Sequence, residues 1–228
     1  MKDNNLDFPF YNDNPKINMK DIVILLSMPI LFTIYTFLPF EIPFGLGPYV
    51  FFIAHLLAFL YVARGNISLL IKKPKFKDFL RVIGTLILQY IVAVGIVMIL
   101  KNVFNVATTE NGVFEMEMNI SFWFKIIFQL FGEELYKILI FLAVLTLMYK
   151  KTKKRTLSIS IALTISLLFF AFLHMTTYNN IIQILLVQGL TTLCCFYNYL
   201  KTKNILMSYL QHLLYDAIPF ILSMLIII

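Results

Sequence analysis

Apolar residues in this chain fall into long runs, each closed by a turn signal or a group of bases. The first is Ile22 to Leu38. Pro39, Pro43, Gly45, Gly47 and Pro48 then make a short turn, uncharged apart from Glu41, before the second run, Tyr49 to Ala63. That pair predicts a helical hairpin. A stretch follows in which Arg64, Lys72, Lys73, Lys75, Lys77 and Arg81 alternate with Ile67, Leu69, Leu70 and Ile71, a pattern expected to lie along a membrane surface. Val82 to Leu100 is the third run, followed by an acidic loop with Glu110, Glu115 and Glu117. The fourth, Ser121 to Tyr149, opens at an interfacial Trp123 and stops at Lys150, Lys151, Lys153, Lys154 and Arg155. Thr156 to about Met175 is the fifth, Ile181 to Leu200 the sixth and, after Lys201 and Lys203, Ile205 to Ile228 the seventh.

A helix needs about 20 apolar residues to cross roughly 30 Å of hydrocarbon, so these runs predict an all-α, polytopic transmembrane helical bundle of about seven spans. The chain divides into a cytoplasmic N-terminal tail over 1–20, three supporting transmembrane helices and their loops over 21–120, and a core over 121–228. With the N-terminus inside, every basic loop falls on the cytoplasmic side and every base-poor loop outside, which leaves the C-terminus external. The first twenty residues contain charges and no apolar core, so no cleavable signal peptide is expected.

Composition agrees. The 228 residues are 60% hydrophobic and 14% charged, against about 45–50% and about 25% in soluble domains. A formal charge of +7 would suggest nucleic acid in a soluble protein, but here the bases sit beside apolar runs and read as topology and lipid contact, with no nucleic-acid partner. Cys194 and Cys195 are adjacent within an apolar run and form no disulfide framework.

A charged side chain at mid-bilayer costs about 2.5–3.5 kcal/mol on insertion scales, so the few within these runs are candidates for function. The fourth run holds Glu133, Glu134 and Lys137, the fifth His174, the seventh His212 and Asp216, and the second His55. Adjacent glutamates point about 100° apart on a helix, and Lys137 can reach either. One glutamate can therefore work while the other is paired. His212 and Asp216 share a helical face, which lets the carboxylate orient the imidazole, and Phe170 and His174 have the same spacing. His55 has no acidic neighbour on its helix and reads as a packing residue.

These residues resemble the three motifs of the CAAX-protease and bacteriocin-processing (Abi) family of intramembrane proteases, whose pattern is Glu-Glu-x-x-x-Arg, Phe-x-x-x-His and His-x-x-x-Asn or Asp. They stand here as Glu133-Glu134, Phe170 to His174 and His212 to Asp216, in the family's order and each on its own predicted helix. The first motif's base falls on Ile138, and the nearest base is Lys137, one position early. The resemblance implies an intramembrane endopeptidase of a bacterial cell membrane, acting on a peptide or small membrane protein in bacteriocin or peptide processing or self-immunity. A non-catalytic scaffold or immunity protein of the same family is the alternative. Catalytic roles would fall to Glu133, as general base, and to Glu134, His174, His212 and Asp216, supported by Lys137 and Phe170. The two histidines would polarise the scissile carbonyl themselves or hold a zinc ion that does so. From the basic clusters, Glu133 and His174 lie at the same depth. His212 lies about 12 Å nearer the cytoplasm unless the fourth and fifth helices project by about two turns.

Overall fold

The structure, a computed structural model, describes residues 7–109 and 118–226, and among them the only regular elements are helices. The acidic loop with Glu110, Glu115 and Glu117 lies outside the described residues. Helix α1 is Met19–Tyr35, α2 Gly47–Val62, α3 Phe76–Asn102, α4 Ile120–Thr152 and α5 Arg155–Leu173. Two short helices, α6 Met175–Tyr178 and α7 Ile181–Gln183, lead through a π-helical stretch, Ile184–Leu190, into α8 Leu193–Thr202, and α9 is Ile205–Ile226.

Helix ends are set by local chemistry. Asn18 accepts from the Asp21 amide at 3.0 Å and Asp21 accepts from the Asn18 amide at 3.0 Å, closing a capping box at the start of α1. Arg64, just past α2, donates to the same Asp21 at 2.9 Å and ties the two helices together. Lys150 and Lys151 in the last turn of α4 and Lys201 in that of α8 complement the helix dipoles, and each helix then stops on a lysine in the left-handed region, Lys153 and Lys203.

Among the described residues, four segments are long and apolar enough to cross a membrane: Phe76–Asn102, Arg155–Leu173, Ile181–Thr202 and Ile205–Leu225; Gly47–Val62 is apolar but shorter. These helices make the chain an integral membrane protein, and Ile83, Ile87, Ile91, Val94 and Met98 of α3 present the exposed apolar side chains that lipid requires. Helix α4 is the centre of the bundle and packs on α1, α2, α5 and α9. Every residue from Gly132 to Ala143 is buried, the signature of a helix enclosed on all sides. Between α3, α8 and α9 a polar network replaces apolar packing. Gln211 donates to Gln89 at 2.8 Å, Thr85 donates to Gln211 at 2.7 Å, and Asn198 donates to Thr85 at 2.8 Å and to Gln211. Such bonds hold helices together where lipid supplies no hydrophobic drive.

Helix α4 reaches farther than α8 at their shared end. Phe141, about three turns before the end of α4, meets the ring of Tyr199, about one turn before the end of α8, at 6.1 Å. Helix α4 therefore runs about two turns farther. The residues before α1 fill the step. Phe8 packs edge-on to Phe141 at 5.1 Å, Tyr11 to Tyr149 at 4.8 Å, and Lys150 donates to the Ile17 carbonyl at 3.1 Å. Asp7 pairs with Arg155 at 2.7 Å. Partial burial alone would raise the Asp7 carboxyl, but Arg155 and the Tyr11 hydroxyl overcome it and hold it below the usual carboxylate range. The stretch after α2 also differs from the surface-lying segment expected. Leu70 is buried, its carbonyl accepts from the Ile205 amide at 3.0 Å, and Asn204 donates to the Lys72 carbonyl at 2.7 Å. It fixes the start of α9.

Candidate active site

Gly132 lets α2 approach α4 closely, and the two residues after it diverge in role. Glu134 is fully buried, with Oε1 accepting from Lys137 Nζ at 2.5 Å and facing His212 Nδ1 at 2.8 Å, while Oε2 accepts from Ser208 Oγ at 2.5 Å. Lys137 is equally buried, with its ammonium 4.3 Å from the centre of the Phe170 ring. A buried carboxylate survives only when its charge and lone pairs are answered, and here a cation and two further donors answer them. Glu134 is thus the paired glutamate. The base expected at position 138 is supplied from position 137, because Ile138 points into the apolar core and Lys137 faces Glu134 at the i, i+3 spacing.

The bond to Glu134 makes His212 Nδ1 the protonated nitrogen and turns Nε2 toward open space. Nε2 lies 3.8 Å from Glu133 Oε2 and 3.6 Å from Asp216 Oδ2, too far for direct hydrogen bonds. This corrects one assignment: the carboxylate that orients His212 is Glu134, from another helix, while Asp216 flanks the opposite nitrogen. Glu133 accepts from Gln129 at 2.9 Å on Oε1, which directs Oε2 toward His212.

His174 caps α5, and its Nδ1 donates to the Phe170 carbonyl at 2.9 Å, so Nε2 carries the lone pair. Phe170 is a shared wedge, edge-on to His174 at 4.7 Å and to His212 at 6.0 Å. Glu133, His174, His212 and Asp216 all line one cavity of about 410 Å³, whereas Glu134 and Lys137 stand behind its wall. His55 is outside it, bonded through Nδ1 to the Phe51 carbonyl at 2.7 Å and packed among Phe32, Phe51 and Tyr136. Although each histidine of the site keeps Nε2 unbonded, no three His, Cys, Asp or Glu side chains among the described residues close into a metal-ligand set.

Four residues of the site belong to no motif. Gln129 and Ser208 each lie one turn before a motif residue, Glu133 and His212, on the same helical face, and that spacing is the signal that could have found them. Helix α3, expected only to support, contributes Gln89 and Tyr90 to the cavity wall. Tyr90 has a further task. Pro219 in α9 has no N–H for the carbonyl four residues earlier, Tyr215, and the Tyr90 hydroxyl donates to that carbonyl at 2.7 Å. Tyr90→Phe should therefore cost about 1 kcal/mol in thermal melts, since a partly buried carbonyl loses its donor. In a Pro219→Ala background, where the helix supplies the donor, the same change should cost much less; equal costs in both backgrounds would contradict this account.

No curated protein and no solved structure matches the chain. Residues 116–218, the segment that contains every motif residue of the site, match the family model described as type II CAAX prenyl endopeptidase Rce1-like, which bears out the CAAX-protease resemblance of the three motifs.

Proposed function

We propose that the chain is an intramembrane endopeptidase in which Glu133 activates water. The observation that carries this reading is the division between the two glutamates: Glu134 is saturated by Lys137, Ser208 and His212, while Glu133 faces a cavity shared with His174, His212 and Asp216. Glu133 Oε2 takes one proton from a water in that cavity as the oxygen attacks the scissile carbonyl. His174 Nε2 accepts the water's other O–H and orients it. His212, its Nδ1–H held by Glu134 and its Nε2 flanked by Glu133 and Asp216, donates Nε2–H in the imidazolium form to the developing oxyanion. As the C–N bond breaks, Glu133 returns its proton to the leaving nitrogen, giving a carboxylate and an amine.

The substrate is a peptide or the juxtamembrane part of a small membrane protein, and peptide maturation or self-immunity in a bacterial cell membrane, with the basic helix ends and the N-terminus inside, fits that chemistry. The non-catalytic scaffold drew its support from Ile138, and Lys137 removes that support by supplying the charge.

The test is cleavage by protein reconstituted in liposomes with a panel of membrane-anchored peptides, read by mass spectrometry of new chain ends. Cleavage is expected, and expected to persist in excess EDTA, because no step uses a metal. Peptides that bind without being cut would favour the scaffold. Activity lost to EDTA and restored by zinc would overturn the metal-free steps.

A further inference from the structure

The cavity of the site extends from the motif residues in one direction. Along α4 its lining runs from Glu133 back to Ile126, along α9 from His212 on to Phe220, and at α5 it takes Phe170 and the terminal His174. Each of these leads away from the helix ends that carry Lys150, Arg155 and Lys203. Among the described residues, none of α4 after Glu133 and none of α9 before His212 lines the space. A smaller cavity, of about 280 Å³, meets the first at Glu133 and His174 and extends the same way, to Thr36, Gly47 and Pro48 at the turn between α1 and α2.

Toward the basic ends the bundle is filled. Glu134 and Lys137 have no measurable exposure, and every residue from there to Ala143 is buried. Beyond them Phe8 packs on Phe141 and Tyr199, at 5.1 and 5.9 Å, with Phe10, Tyr11 and Ile17 in the same buried cluster. Glu133, about 20 Å of helix from the start of α4 at Ile120 and about 28 Å from its end at Thr152, is therefore reached from the Ile120 side. That side is poor in bases. Of the 19 lysines and arginines, Lys137 is buried beside Glu134, and among the described residues only Lys101 in the last turn of α3 and Lys125 near the start of α4 stand at that end. The sequence joining α3 to α4 adds Glu110, Glu115 and Glu117. Loops rich in Lys and Arg stay cytoplasmic, which makes the base-poor end the outer one.

We infer that the active site is entered from the outer face of the membrane, and that its substrates are peptide segments emerging from the membrane on that side. What is cut rests on the protease reading; the side of entry rests on the shape of the cavity and the placing of charge. Gln188, Thr191 and Thr192 give the path a polar wall, as an unwound peptide backbone at membrane depth requires.

The test has two arms, both in intact bacterial cells that make the full chain. Thr177 is exposed and lines both cavities, and Lys154 is exposed at the turn between α4 and α5. A membrane-impermeant maleimide should label Thr177→Cys in intact cells, above the background that Cys194 and Cys195 give in the parent, and Lys154→Cys only after permeabilisation. Labelling of Lys154→Cys in intact cells, or of folded Thr177→Cys only after permeabilisation or not at all, would overturn the proposal. The second arm compares two single-span reporters with the same cleavable sequence, placed just outside the span in one and just inside it in the other, against the Glu133→Gln protein as the blank for host proteases. The outside reporter alone should lose its full-length band; loss of the inside reporter would overturn the proposal. If neither is cut while labelling follows the expected pattern, outer entry stands and the protease reading fails.

Discussion

Lys137→Met destabilises the protein by about 3–5 kcal/mol, because it leaves the Glu134 carboxylate buried without its cation. Neither side chain of the pair has measurable exposure, so water cannot enter to take the place of the lost charge. The ammonium also leaves the face of Phe170, a contact worth up to about 2 kcal/mol when desolvated. Removing both charges is the informative control. Glu134→Gln together with Lys137→Met keeps an oxygen for His212 Nδ1 and Ser208 while discarding the unpaired charge, and should recover most of the melting temperature. Cleavage should recover less, since a neutral amide oxygen bonds His212 Nδ1–H more weakly than a carboxylate does and orients the ring less firmly. A double variant as unstable as Lys137→Met would show that the unpaired Glu134 charge is not what destabilises the single variant.

Gly132→Ala gives the second large effect. On a helix that merely exposes a glycine, alanine would stabilise by about 1 kcal/mol. Here the new Cβ would stand 2.5 Å from Phe51 Cδ1 and 3.2 Å from the Phe52 Cα. A ring can turn, but the neighbouring backbone has to move, and α2 with it. Overpacking of this kind costs about 1–3 kcal/mol. The expected result is a lower melting temperature and slower cleavage, because the residue displaced adjoins Glu133. Phe51→Leu in the same chain should restore part of the stability by vacating the space. A melting temperature raised by Gly132→Ala would contradict the close approach.

The fold class was legible because long apolar runs leave a helix no alternative to lipid or a buried core, and boundaries such as Arg155–Leu173 follow the turn signals closely. The three motifs were legible because each sits at a four-residue spacing on a helix, and the extra length of α4 relative to α8 follows from counting residues to the basic ends. Pairing was harder to read. Nothing in the spacing distinguishes Glu133 from Glu134; that choice is made by Ser208 and His212, some seventy-five residues away. Asp216 seemed the natural partner of His212 because it is local, and a tertiary contact displaced it. Phe8, Phe10, Tyr11 and Ile17 are buried, yet in sequence they are scattered among prolines, asparagines and charges and make no periodic pattern. Gln89 and Tyr90 look like interruptions in the apolar run of α3 until α9 is placed beside them.

The central claim is that Glu133, and not Glu134, performs the chemistry. The most direct measurement is the single-turnover cleavage rate of Glu133→Gln relative to the parent protein in liposomes, normalised to protein with an unchanged melting temperature. An amide cannot take the proton from water, so the account predicts a fall of about 10²–10⁴-fold with stability retained. Cleavage by folded Glu133→Gln at the parent rate would contradict it.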